Sequence, residues 1–256
     1  MMSNASAKQP GHIGAGRADG KQRRRAWLVH IYTACGSVLA FLGAWGVVHG
    51  YDRLVLAAMF AATFIDSTDG MLARAARVKQ VLPEVDGGRI DDIVDYLTFV
   101  FLPMMLLEAA GGLRAWTAFP VIAVVLLSSL YGFVAPDAKS EDHFFTGFPS
   151  YWNVVVLYLL LFDVSPEMNA VVLLALSAMV FVRIGWIYPS RTPAFRELTL
   201  ALGASWAILI GLVILWWPSP PRWIGIASLV FPVYYIVLSL ILHARRVRSA
   251  GQAFFW

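Results

Sequence analysis

FIDSTDGMLARAARVKQVLPEVDGGRIDDIVDY, residues 64–96, carries six aspartates and one glutamate. The 256-residue chain around it is 59% hydrophobic and only 14% charged. A soluble domain carries far more charge, so the composition is that of an integral membrane protein. A membrane helix needs about 20 apolar residues, and apolar segments fall near 26–49, 52–72, 90–109, 114–135, 150–163, 168–188, 198–217 and 223–243. The fold expected is all-α, a polytopic membrane bundle of about eight transmembrane helices, with six to eight allowed because the fifth segment is short. Alternating strands of about ten residues are absent, which argues against an outer-membrane barrel.

The acidic stretch therefore sits between the second and third spans. Within it, Asp66, Asp69, Gly70, Ala73 and Arg74 lie at offsets that share one helix face. Gly87, Asp91 and Asp95 are spaced by four and share another. Two helices can thus bring four carboxylates to one cleft. Clustered carboxylates repel one another and take up protons unless cations neutralise them. Hard divalent ions such as Mg²⁺ and Mn²⁺ prefer oxygen ligands, so the pattern points to a site for two divalent ions. A lone intramembrane aspartate can be merely structural, but four at helical spacing beside a glycine and an arginine favour function. Asp86 and Asp92 fall off both faces, the first expected in a loop and the second solvated or supporting the others.

Charge bias sets the expected orientation. With a cytoplasmic N-terminus, 17 of the 20 Lys and Arg residues lie inside, leaving Arg53, Arg114 and Arg222 outside. This bias predicts both termini in the cytoplasm. It accounts for the net charge of +4 through anionic-lipid anchoring, with no nucleic-acid partner. The expected organisation is a disordered basic tail over 1–25, one membrane domain over 26–244 and a C-terminal tail over 245–256. The basic run before the first span reads as a topology signal, and no cleavable signal peptide is evident. Cys35, the single cysteine, lies within the first span and excludes an intramolecular disulfide. Its expected role is core packing.

Asp66-x2-Asp69-Gly70-x2-Ala73-Arg74…Gly87-x3-Asp91-x3-Asp95 resembles the signature of the CDP-alcohol phosphatidyltransferases, integral membrane enzymes that move a substituted phosphate from a cytidine diphosphate carrier to an alcohol. Twelve residues separate Arg74 from Gly87, where most members have eight or nine. The longer spacer is similar to that of the bacterial phosphatidylcholine synthases, as are AWLVHIYTACG at 26–36 and HFFTGFPSYWN at 143–153. The resemblance implies a cytoplasm-facing site in the bacterial inner membrane that joins CDP-diacylglycerol to free choline and releases CMP. It implies that Asp66, Asp69 and Asp91 ligate metal, and that Asp95 is the general base and also touches a metal. Gly70, Ala73, Arg74 and Gly87 would lie against CDP-diacylglycerol. Many relatives carry Asn-x2-Thr at the start of the first span, contacting the cytidine; here those positions read His30-x2-Thr33. Relatives are commonly homodimers.

Choline has no N–H, so aromatic faces must recognise its ammonium. Tyr151, Trp152 and Asn153 entering the fifth span, and Trp186, Ile187 and Tyr188 leaving the sixth, lie at the expected depth, with Tyr131 on the fourth as a third wall; the seat is expected around 151–153 and Tyr188. Interfacial-belt aromatics are the competing reading for each. Two alternatives to the choline reading stay open here: another acceptor (serine, inositol or glycerol phosphate), and an ion- or proton-coupled transporter using the aspartates as a relay. A transporter of that kind would show inverted repeats with broken helices in both halves, whereas these acids occupy one hairpin.

Overall fold

The computed structural model describes residues 19–135, 144–189 and 192–253. Expectations for residues 1–18, Lys139, His143, Arg191 and 254–256 lie outside the described residues. The chain forms an all-α membrane bundle with one small sheet. Among the described residues, five helical stretches are long and apolar enough to cross a bilayer: α1 (Gly20–Val48), α2 (Asp52–Ala75), α6 (Ala115–Val134), α9 (Arg196–Leu215) and the run Arg222–Arg248. The last comprises α10 (Arg222–Ser228) and α11 (Val230–Ala253). They part just before Pro232, which lacks the N–H that a continuous helix would use. Two shorter apolar helices, α7 (Trp152–Leu161) and α8 (Pro166–Val180), pack within the bundle.

Helix α1 builds one wall through a stripe of small residues. Ala26, His30, Thr33, Gly36, Ala40, Gly43 and Gly46 recur every three or four residues and are buried. A side chain at Gly36 would overlap Val94, and one at Gly43 would overlap Leu102. These glycines let the helix of the third segment lie directly on α1, the packing that small residues allow in membranes. Cys35 does not join this stripe: it is exposed on the outer face of α1, contrary to the expected core role. Helix α1 also starts at Gly20, so residues 20–25, read from sequence as tail, are helical. Arg23 makes an ion pair at 2.6 Å with Glu84, and Lys and Arg are good helix formers. Residues 245–253, also read as tail, continue α11 in the same way.

The third segment is not a plain helix. Helix α4 (Gly87–Asp95) passes into a wide π turn (Tyr96–Phe101) and then α5 (Leu102–Ala109). In the wide turn the Leu102 N–H reaches back five residues to Leu97 O. Pro103 explains it: its ring and missing N–H disturb the regular hydrogen-bond ladder just upstream.

The sixth segment, expected helical to 188, ends at Val180. Residues Gly185–Ile187 instead form β2, antiparallel to β1 (Phe144–Thr146), with Phe145 opposite Trp186. The loop after β1 covers the end of α8. Phe148 N–H donates to Met179 O at 3.1 Å and Gly147 N–H to Ile184 O at 2.9 Å. Gly147 has φ +78°, and any Cβ there would strike Val180 O. Only glycine fits so close an approach in that conformation.

Helix α11 grips β2 with one face. Tyr235 donates to Ile187 O (3.1 Å), Ser239 Oγ accepts from Ile187 N (3.2 Å), and His243 Nδ1 accepts from Gly185 N (3.1 Å). These three residues are four apart, so a single helix face satisfies the outer edge of the strand.

Candidate active site

The last turns of α2 and the whole of α4 carry the acids. Asp86 caps α4, accepting from the N–H groups of Gly88 and Arg89 at 3.1 and 3.3 Å. It lies in the connecting loop, as expected, and its side chain orders the start of the helix that follows. Between α2 and α4 lies α3 (Val78–Val81), entered through Arg77 at φ 50°. Val78, Val81 and Leu82 are buried against Ala26 of α1, with Ala73 at the edge of the same cluster. The long spacer is thus a folded bracket that pins the acidic hairpin to α1. Glu84 closes it. Its own backbone N–H, and then the Arg23 guanidinium, hold its carboxyl below the usual range.

The bracket brings Asp66, Asp91 and Asp95 together. Each is half-buried, and one carboxylate oxygen from each lies within 4.8 Å of the others. Hard-cation–oxygen distances are about 2.0–2.6 Å, so oxygens at this separation suit a common divalent ion. The donor set, oxygen only and dianionic or more, fits Mg²⁺ or Mn²⁺. Asp69 stands apart from this trio. It is 7% exposed and accepts a hydrogen bond from Thr33 Oγ1 at 2.8 Å. Next to it, the Tyr32 hydroxyl meets Thr68 Oγ1 at 2.8 Å.

His30 lies one turn before Thr33. It is 5% exposed, its Nε2 has no partner among the described residues, and a Cβ on Gly87 would come within 2.9 Å of its ring. His30, Thr33, Asp69 and Gly87 therefore converge from three helices. Gly70 is half-buried beneath the Arg74 guanidinium, which a Cβ would meet at 3.3 Å. Ala73 packs on the bracket instead.

The aromatic candidates separate. Tyr151, at the start of α7, contacts Phe99 (ring centroids 6.5 Å apart), the residue one turn beyond Asp95. It also lies within electrostatic reach of Asp66, Tyr188 and Tyr235. Tyr188 stacks on Phe145 at 4.8 Å. Trp152 points elsewhere: it is fully buried and donates from Nε1 to Ser129 Oγ at 2.7 Å. Asn153 is buried too, donating to Thr63 Oγ1 at 2.9 Å and so tying α7 to α2 one turn before Asp66. Tyr131 is 52% exposed and lies against Phe181, itself exposed. Sequence reasoning missed Tyr235, whose ring meets Tyr151 edge to face.

No family model matches the chain. Similar proteins do. It is 40% identical over 173 residues to a phosphatidylcholine synthase of Legionella pneumophila, covering 67% of this chain and 68% of that one. Against a phosphatidylcholine synthase of Pseudomonas aeruginosa it is 36% identical over 197 residues, covering 77% and 83%. A third, from Agrobacterium fabrum, is 35% identical over 222 residues, covering 85% and 90%. With identities at this level over most of both partners, the chain belongs to the phosphatidylcholine synthase family.

Proposed function

We infer that the protein transfers the phosphatidyl group of CDP-diacylglycerol to free choline and releases CMP. The observation that carries the reading is the convergence of Asp66, Asp91 and Asp95 in a chain so similar to phosphatidylcholine synthases. Asp95 accepts the choline hydroxyl proton. The freed oxygen attacks the phosphorus that bears diacylglycerol, and the bond from that phosphorus to the CMP oxygen breaks. Asp66, Asp69 and Asp91 would hold the divalent ions, with Asp95 at their edge. Bound there, such ions would neutralise diphosphate charge and favour departure of CMP. The Arg74 guanidinium supplies a planar fork for phosphate oxygens, and Gly70 leaves room for the nucleotide beside α2. His30, Thr33 and Gly87 line the nucleotide end.

The termini and this site face the cytoplasm of the inner membrane in an eight-span arrangement, a reading supported by the Lys and Arg bias; the working unit is a homodimer. To test the function, purified protein is given CDP-diacylglycerol, Mn²⁺ and, separately, choline, serine, inositol or glycerol phosphate. CMP release is expected with choline, and is expected to stop on chelation and resume when Mn²⁺ or Mg²⁺ is restored. Release driven equally by another alcohol would overturn the acceptor.

A further inference from the structure

We propose that Trp186 and Tyr235 join Tyr151 as the seat of the acceptor's quaternary ammonium, and that they determine acceptor specificity. The proposal rests on the choline reading above. An ammonium without N–H groups is held by aromatic faces and by nearby negative charge, so its seat must be an aromatic surface adjoining the acids. Tyr151 meets that condition by geometry. Asn153, two residues on, is bonded to Thr63 one turn before Asp66, and Phe99, one turn after Asp95, touches the Tyr151 ring. Tyr151 therefore stands between the two acid-bearing helices.

Two further rings continue the surface. Tyr235 meets Tyr151 at 6.0 Å and 70°, and Trp186 lies nearly parallel to Tyr235 at 5.9 Å and 14°. Tyr151 and Tyr235 meet edge to face, so the planes of the two rings turn a corner. The corner is also rigid. Tyr235 spends its only hydroxyl proton on Ile187 O, while Ser239 and His243 hold the rest of β2 against α11. Binding groups mounted on mutually bonded elements keep their geometry better than groups on loops.

A second observation points to a ligand independently. Trp186 is 5% exposed, yet its Nε1–H has no acceptor among the described residues. Buried donors are ordinarily paired. Choline offers what is missing: methyl groups for the ring faces and a hydroxyl oxygen to accept from the indole. Sequence reasoning offers Tyr151 and Trp186 by depth but not Tyr235, which belongs to a span far away in the chain.

The test compares choline with its neutral isostere 3,3-dimethylbutan-1-ol in the full-length enzyme with CDP-diacylglycerol and Mn²⁺. The wild type is expected to prefer choline strongly in kcat/KM. Tyr235→Leu and Trp186→Leu should raise the choline KM at least about tenfold and erode that preference. The CDP-diacylglycerol KM should stay within about twofold. Tyr235→Phe, which keeps the face, should retain a choline KM within about threefold of wild type. Folded Leu variants with an unchanged choline KM would overturn the seat while leaving the choline synthase reading intact. If the Leu variants do not fold, the wild type still decides: equal use of the isostere overturns recognition by ring faces. Absence of any choline-dependent CMP release overturns the acceptor reading and the seat together.

Discussion

The Thr33 hydroxyl donates to Asp69 Oδ2 at 2.8 Å and so ties that carboxylate oxygen to α1. A hydrogen bond to a charged group is worth about 1.5–3 kcal/mol. Thr33→Val should therefore lower kcat/KM for CDP-diacylglycerol by roughly ten- to a hundredfold, whereas Thr33→Ser should keep most of it. Asp66, Asp91 and Asp95 are different, because their oxygens already converge. Asp66→Asn, Asp91→Asn and Asp95→Asn should each reduce kcat by at least about 10²–10⁴, the range that general acid–base catalysis alone supplies. The check is CMP release from protein whose thermal midpoint matches wild type. Near-normal turnover by Asp91→Asn would remove the two-ion assignment. These acids were legible in the sequence because helical spacing is local: four residues fix a face whatever the rest of the chain does. Tyr235 was not legible, since nothing local says which span a distant ring will meet. Trp152 and Tyr131 looked like site aromatics for the same reason, and only packing sent one to Ser129 and the other to Phe181.

Among the elements, the bracket α3 is the one whose loss should be felt furthest from its own contacts. Leu82 is fully buried, and truncating a buried leucine costs about 2–5 kcal/mol. Leu82→Ala should lower the thermal midpoint in detergent and also reduce turnover, because α3 orients α2 and α4 relative to α1. A stability loss with unchanged turnover would show that the bracket only packs. The length of this spacer was visible as a departure from the commoner pattern, but its folding was not: VKQV, with two apolar positions in four, does not announce a helix. The same ambiguity hid β2. Trp186, Ile187 and Tyr188 continue an apolar run, and short apolar runs read equally as helix end or strand. Where sequence did place the segments well, in α1, α2, α6 and α9, each is long, apolar and bounded by turns.

For the whole molecule, the charge bias makes a prediction that the bundle itself does not display. Reporter fusions at the two ends should both report cytoplasm, and a third at the Arg114 turn should report the opposite side. An N-terminal fusion on the far side would overturn the cytoplasmic orientation proposed for the site. The wide turn at Tyr96–Phe101 has its own consequence at this scale. It behaves as one surplus residue in a helix, and in an α-helix each residue turns the chain through about 100°. The acid-bearing half and the Leu102–Leu107 half therefore keep independent angular phases, each tuned to a different neighbour. Deleting any single residue from 97–101 would leave the chain's oiliness and charge almost unchanged, yet force the two halves onto one clock. The deletion variant should insert into the membrane normally and be inactive, with Asp91 and Asp95 swung out of reach of Asp66. Insertions and deletions here would be far less tolerated than substitutions, a bias that random mutagenesis of this short window can measure.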